Sequence, residues 1–142
     1  MSKIAVVYWS GTGNTEAMAD LVANAAQSAG ATVDKMTSAE FNAADAANYD
    51  GFALGCPAMG AEQLEESEFE PMYQDLRGSL FGKPVGLFGS YGWGDGEWIR
   101  TWAEDAQAAG ARLVADPVMA NGAPDGDATD ACNALGTALA NA

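Results

Sequence analysis

The apolar positions of the chain fall into short runs that alternate between two periods. Ile4-Ala5-Val6-Val7-Tyr8 is continuous, the pattern of a strand buried on both faces. Met18, Leu21, Val22 and Ala25 then recur at helical spacing, with Gly30 placed to cap that helix. Val33 to Met36 reads as a more polar strand near a sheet edge, and residues 38–49 as a short, weak helix. Phe52-Ala53-Leu54-Gly55-Cys56 is a second buried run, broken by Pro57. After a loop over residues 58–67, Phe69, Met72, Tyr73 and Leu76 mark an amphipathic helix. Val85-Gly86-Leu87-Phe88 is the fourth strand, followed by a glycine-rich loop over residues 89–96. Ile99, Trp102, Ala103 and Ala106 define the next helix, which Gly110 ends. Leu113-Val114-Ala115 is the fifth strand, and Cys132, Leu135 and Leu139 share one face of a last helix.

Strands alternating with helices predict a parallel sheet covered on both faces. Right-handed crossovers wind it into a three-layer, doubly wound α/β fold with five strands. Ligands of such folds sit beyond the carboxyl ends of the strands, where the winding reverses. The loops that leave those ends here, 9–15, 57–62 and 90–98, have the most unusual compositions in the chain.

With 142 residues the sequence fits one domain spanning 1–142, and 49% hydrophobic against 18% charged residues describes a globular chain. The formal charge of −14 argues against nucleic acid and anionic membranes, both of which recruit Lys and Arg. It suits a partner with a basic docking patch, although acidity also serves solubility alone. No signal-peptide pattern and no apolar run of about 20 residues are present, so a cytoplasmic monomer is expected. The absence of histidine removes Ser-His-Asp and Cys-His nucleophiles and histidine metal sites together. Cys56 and Cys132 are too far apart for a CxxC motif and read as structural. Reactivity must therefore be borrowed from a cofactor.

Ser10-Gly11-Thr12-Gly13-Asn14-Thr15 joins the first strand to the first helix. Glycines let backbone N–H groups converge on an anion, the helix start adds partial positive charge, and the hydroxyls add donors. A Walker loop is excluded, because no lysine follows Gly13. Glu16 stands where a dinucleotide loop has its third glycine, and Cys56-Pro57 where a phosphate-accepting receiver has an aspartate. A polar turn that merely caps a helix is the competing reading.

Ser10 to Thr15 matches the phosphate loop of flavodoxins. Pro57-Ala58-Met59-Gly60-Ala61-Glu62 and Gly89-Ser90-Tyr91-Gly92-Trp93-Gly94-Asp95-Gly96-Glu97-Trp98 resemble the two isoalloxazine loops of the short-chain members. The resemblance covers essentially the whole chain and implies the flavodoxin-like strand order 2-1-3-4-5. It implies non-covalent flavin mononucleotide (FMN), with Trp93 over one ring face and Met59 over the other. Glu62 would accept the flavin N3–H, and backbone donors of Ser90, Tyr91 and Gly92 would meet the O2 and N1 edge. The peptide at Gly60 would turn over on one-electron reduction and present its carbonyl to N5–H, with Ala61 following it. Pro57 stands where some relatives carry serine and supplies neither hydroxyl nor N–H. Trp9, Trp98 and Trp102 read as core or edge packing, and Glu65, Glu66, Glu68 and Glu70 as a solvated face. The implied function is a low-potential one-electron carrier between redox enzymes. An FMN-dependent NAD(P)H:quinone-type reductase of the same fold is the alternative, and a docking module without redox duty is a more distant one.

Overall fold

The computed structural model describes residues 2–59, 63–92 and 94–142. In chain order the elements are β1 (Lys3–Tyr8), α1 (Asn14–Ser28), β2 (Thr32–Thr37), a 3-10 turn (Ala43–Asn48), β3 (Gly51–Gly55), α2 (Phe69–Arg77), β4 (Pro84–Tyr91), α3 (Glu97–Ala108), β5 (Arg112–Leu113), β6 (Val118–Asn121) and α4 (Gly126–Ala140). All strand pairings among these elements are parallel, in the order β2-β1-β3-β4-β5, with β6 also on β4.

The central strands are apolar on both faces because each face meets a layer of helices. Ile4, Val6 and Tyr8 of β1 pack with Met18, Ala19 and Val22 of α1 and with Cys132, Leu135 and Leu139 of α4. Ala5 and Val7 face the opposite layer, with Phe69, Tyr73 and Leu76 of α2 and Ile99 and Trp102 of α3. β2 is only partly buried along its length, as an edge strand with one neighbour must be.

The expected fifth strand is divided. β5 covers only Arg112–Leu113, paired with Pro84 and Val85 at the start of β4. The chain then leaves the sheet at Ala115-Asp116-Pro117 and returns as β6, paired with Phe88 to Tyr91 at the far end of β4. Pro117 has no N–H to give a ladder and marks the break. The expected reach to Ala115 is thus corrected to Leu113. The four residues of β6 alternate buried and exposed, too short a run to stand out in the sequence. The weak helix expected over residues 38–49 is the shorter 3-10 turn, with Asn42 Oδ1 accepting from Ala44 N at 2.9 Å. Among the described residues no helix is long and apolar enough to cross a membrane.

Candidate functional site

The carboxyl ends of β1, β3 and β4 lie side by side, and their exit loops are stitched together by backbone bonds. Trp9 N donates to Gly55 O (3.0 Å), Cys56 N to Phe88 O (3.1 Å) and Ala58 N to Ser90 O (3.1 Å). These carry the parallel pairing past the strands, so the loops start from fixed positions. β3 and β4 approach closely there: a Cβ at Gly89 would sit 2.2 Å from Cys56 O. Between the loops lies a cleft of ≈ 290 Å³, lined by Trp9, Gly11, Thr12, Asn14, Pro57, Ala58, Met59, Ser90, Tyr91, Gly92 and Gly122. That is near the small end of ligand clefts, about 300–1,000 Å³.

The loop after β1 is shaped as an anion cradle. Gly13 has φ +94, a conformation that costs other residues about 1 kcal/mol or more. Ser10 Oγ accepts from Gly13 N (3.0 Å) and Glu16 N (3.3 Å). Ser10 therefore caps α1 from outside the cap position, and with its lone pairs engaged its O–H is left to donate. Thr15 is buried and its Oγ1 accepts from Ser90 N at 3.4 Å, which ties the cradle to β4. The N–H groups of Gly11, Thr12, Asn14 and Thr15 have no intramolecular acceptor among the described residues. They surround the positive end of the α1 dipole. No acid lies within 10–15, and Glu16, the next residue, is held by the Tyr8 hydroxyl at 2.9 Å. Burial, then that bond, pushes the Tyr8 hydroxyl up to about 12, so it stays a donor.

The second loop is closed at its base. Met59 and Gln63 exchange backbone bonds of 2.9 and 3.0 Å in an antiparallel bridge. Below it, Cys56 Sγ accepts from Glu65 N (3.3 Å) and its S–H faces Pro57 O at 3.6 Å. Burial pushes the Cys56 thiol up to about 12, so it is a packing and tethering group. Glu65 is 5% exposed, not part of a solvated face. Its carboxylate accepts from Ser67 Oγ and from the N–H groups of Ser67 (2.8 Å), Glu68 (2.8 Å) and Phe69 (2.9 Å), capping α2. Burial alone would raise its pKa. These hydrogen bonds, the Ser67 hydroxyl's first, outweigh burial and take it down to about 2.

The third loop leaves β4 at Tyr91, whose ring packs on Trp98 at 5.6 Å. Trp98 is buried, with Nε1 donating to Cys56 O at 3.0 Å. Ser90 Oγ donates to Gly122 O (2.7 Å), and Gly122 N donates to Tyr91 O (2.9 Å). Ser90 N is engaged by Thr15, so the Gly92 N–H is the backbone donor of this stretch with no intramolecular acceptor among the described residues.

The cleft thus gathers Gly11, Thr12, Asn14, Pro57, Ala58, Met59, Ser90, Tyr91 and Gly92. Ser10 and Gly13 line an adjoining pocket, Thr15 lies beneath the cradle, and Gly94 is exposed and is not among the lining residues. Gly60, Ala61, Glu62 and Trp93 lie outside the described residues. Trp9 packs against the core as expected and also forms a wall of the cleft: it is half-buried, and a Cβ at Gly11 would meet its ring at 3.1 Å. Its place directly after β1 was the available signal. Gly122 follows the strand that the sequence did not reveal. Among the described residues no group of acids and cysteines could hold a metal ion.

The donor set suits a phosphate dianion: converging N–H groups, free hydroxyl protons and no acid in the loop. Pro57, Ala58, Met59, Trp9 and Tyr91 suit a flat apolar ring. The flavodoxin family profile matches residues 6–136. Flavodoxin from Megasphaera elsdenii is 47% identical over 139 residues, covering 98% of this chain and 99% of that protein. Flavodoxin from Clostridium beijerinckii is 44% identical over 136 residues, covering 96% and 98%. The solution structure of two-electron reduced Megasphaera elsdenii flavodoxin superposes with a TM-score of 0.90 over 98% of this chain and 99% of that one. Fold, cradle and relatives agree, and the chain belongs to the flavodoxin family, short-chain type: it is an FMN-binding electron carrier and not an enzyme.

Proposed function

We propose that the chain, as a single domain over 1–142, holds FMN non-covalently in the cleft between β1, β3 and β4 and moves single electrons at low potential. The observation that carries this reading is the convergence of the cradle at 10–15 with the apolar stretches 57–59 and 90–92 around one cleft. Bound FMN supplies a ring that accepts and releases one electron at a time.

The protein's part is binding and bias. Gly11, Thr12, Asn14 and Thr15 give N–H groups to the phosphate, and the Ser10 hydroxyl adds a proton donor. Met59 would cover one face of the ring and Trp93 the other, keeping water from it. Glu62 would accept from N3–H, Gly60 would offer its carbonyl at N5, and Gly92, with Ser90 and Tyr91, would border the O2 and N1 edge. Ala58, Ala61 and Gly94 complete the two loops. Pro57 brings neither hydroxyl nor N–H, so it adds no contact to the phosphate. Each carboxylate about 10 Å from the ring opposes an added electron by about 0.4 kcal/mol in water. That is roughly 20 mV for a one-electron couple at about 59 mV per tenfold. An acidic chain therefore lowers the potential of the last electron.

Its partners on this reading are redox enzymes with basic docking patches, met in the cytoplasm by a monomer that binds neither nucleic acid nor membrane. The test is anaerobic reductive titration of the FMN-loaded protein, followed by absorbance. Two separated one-electron steps are expected. One unresolved two-electron step, or steady NAD(P)H oxidation by the protein alone, overturns the reading in favour of a reductase.

A further inference from the structure

Trp98 stands in the first turn of α3, is 2% exposed, and is not among the residues that line the cleft. Its indole crosses β4 at Gly89 to reach Cys56, the residue after β3. Glycine makes the crossing possible: a Cβ at Gly89 would sit 3.0 Å from the Trp98 ring and 2.2 Å from Cys56 O. On the far side, Trp98 Nε1 donates to Cys56 O at 3.0 Å. That carbonyl has no other donor among the described residues. The peptide it belongs to continues into Pro57, which has no N–H, so the carbonyl is the only polar group by which this peptide can be held. Pro57, Ala58 and Met59 then line the cleft. The same indole carries the Tyr91 ring, at a centroid distance of 5.6 Å and an interplanar angle of 47°. Tyr91 lines the cleft where β4 passes into the third loop. One buried side chain thus holds the entry to the second loop and the entry to the third.

We infer that Trp98 is a positioning residue for the cofactor ring: from behind the cleft it fixes the Cys56–Pro57 peptide and the Tyr91 ring, and so sets the gap between the two ring loops. Groups that line a site keep their geometry only when residues behind them are locked by packing and hydrogen bonds. Without the indole N–H the buried Cys56 carbonyl has no partner, and it can regain one only by turning, which swings Pro57 and the residues after it. A looser gap admits water to the ring, and its two one-electron couples move toward those of free FMN, which no protein holds apart. This role presupposes the carrier reading and refines it, because the bias on the electrons then depends on a tryptophan that does not line the cleft.

The test compares Trp98→Phe with Trp102→Phe, the same change one turn along the same helix. Trp102 is also buried, packs on Phe69 and Tyr73, and its Nε1 has no hydrogen-bond partner among the described residues. FMN affinity is read from quenching of flavin fluorescence, and the couples from anaerobic reductive titration of the FMN-loaded proteins. Trp98→Phe should raise the Kd for FMN about tenfold, as for a buried acceptor left unpaired. It should also narrow the separation of the two couples by roughly 60 mV, a tenfold change in the equilibrium between them at about 59 mV per tenfold. Trp102→Phe should leave the Kd and both couples in place, whatever it does to the urea midpoint. Equal effects of the two changes, or unmoved couples in Trp98→Phe, overturn the role. If Trp98→Phe does not fold, the wild type decides. Coupling is reciprocal, so FMN must slow deuterium exchange at the Trp98 indole N–H by more than at that of Trp102. Equal slowing at both overturns the role. A single two-electron step in the wild type sinks the carrier reading, whereas two steps that Trp98→Phe leaves unchanged sink the positioning role alone.

Discussion

At the residue scale Glu65 carries the clearest consequence. A carboxylate that is 5% exposed is stable there only because it meets donors of Ser67, Glu68 and Phe69 at the positive end of α2. Glu65→Gln keeps the shape, loses the charge, and is expected to lower unfolding stability by about 2 kcal/mol in urea titrations. Its depressed pKa also sets a sign. The stabilisation is complete above the unfolded value, near 4.5, and is lost as pH falls from there through about 2. Wild type and Glu65→Gln should therefore differ at neutral pH and converge near pH 2, by thermal melts across that range; a constant gap would oppose this account. A sequence does not show this, because Glu65 stands among other acids and only the turn into α2 tells it apart. The second role of Trp9 was hidden for a similar reason: tryptophan after a buried strand is ordinarily packing, as Trp9 partly is, and only the cleft beside Gly11 shows that it also forms a wall.

At the element scale the contact of α1 with α4 has no slack. A Cβ at Gly136 would lie 2.3 Å from Val22 O, so the helices approach through the missing side chain. Gly136→Ala should cost about 1–3 kcal/mol, the range for forced overpacking, measured as a lower denaturant midpoint at unchanged slope. FMN affinity should fall less than stability, since α4 supplies no lining residue to the cleft. The buried strands were legible because a strand covered on both faces has a continuous apolar run, as in β1, β3 and β4. β5 and β6 were not: two and four residues cannot establish a period, and Pro117 between them hides that both serve β4. The cradle was legible by composition and by its place between strand and helix. How Ser10 and Thr15 divide their hydroxyls between capping and donating was not, since that depends on Gly13, Glu16 and Ser90 in space.

At the scale of the whole molecule a charge of −14 on 142 residues makes a field that reaches beyond contact. Association with a basic redox partner should be fast at low salt and fall at least about tenfold as ionic strength rises to several tenths molar, where the Debye length shrinks below about 8 Å. Stopped-flow electron transfer against salt measures this, and a rate indifferent to salt would remove the basic patch from the partner.

The bridge between Met59 and Gln63 divides labour within one short stretch of chain. Its base is closed by Cys56, Met59, Gln63 and Glu65, through bonds made by backbone, thiol and a carboxylate already committed to α2. None of those bonds uses a side chain from 60–62. The closure of this loop's base is thus set by residues on either side of 60–62, and a change at Cys56 or Glu65 should disturb the approach to the cleft and the start of α2 together.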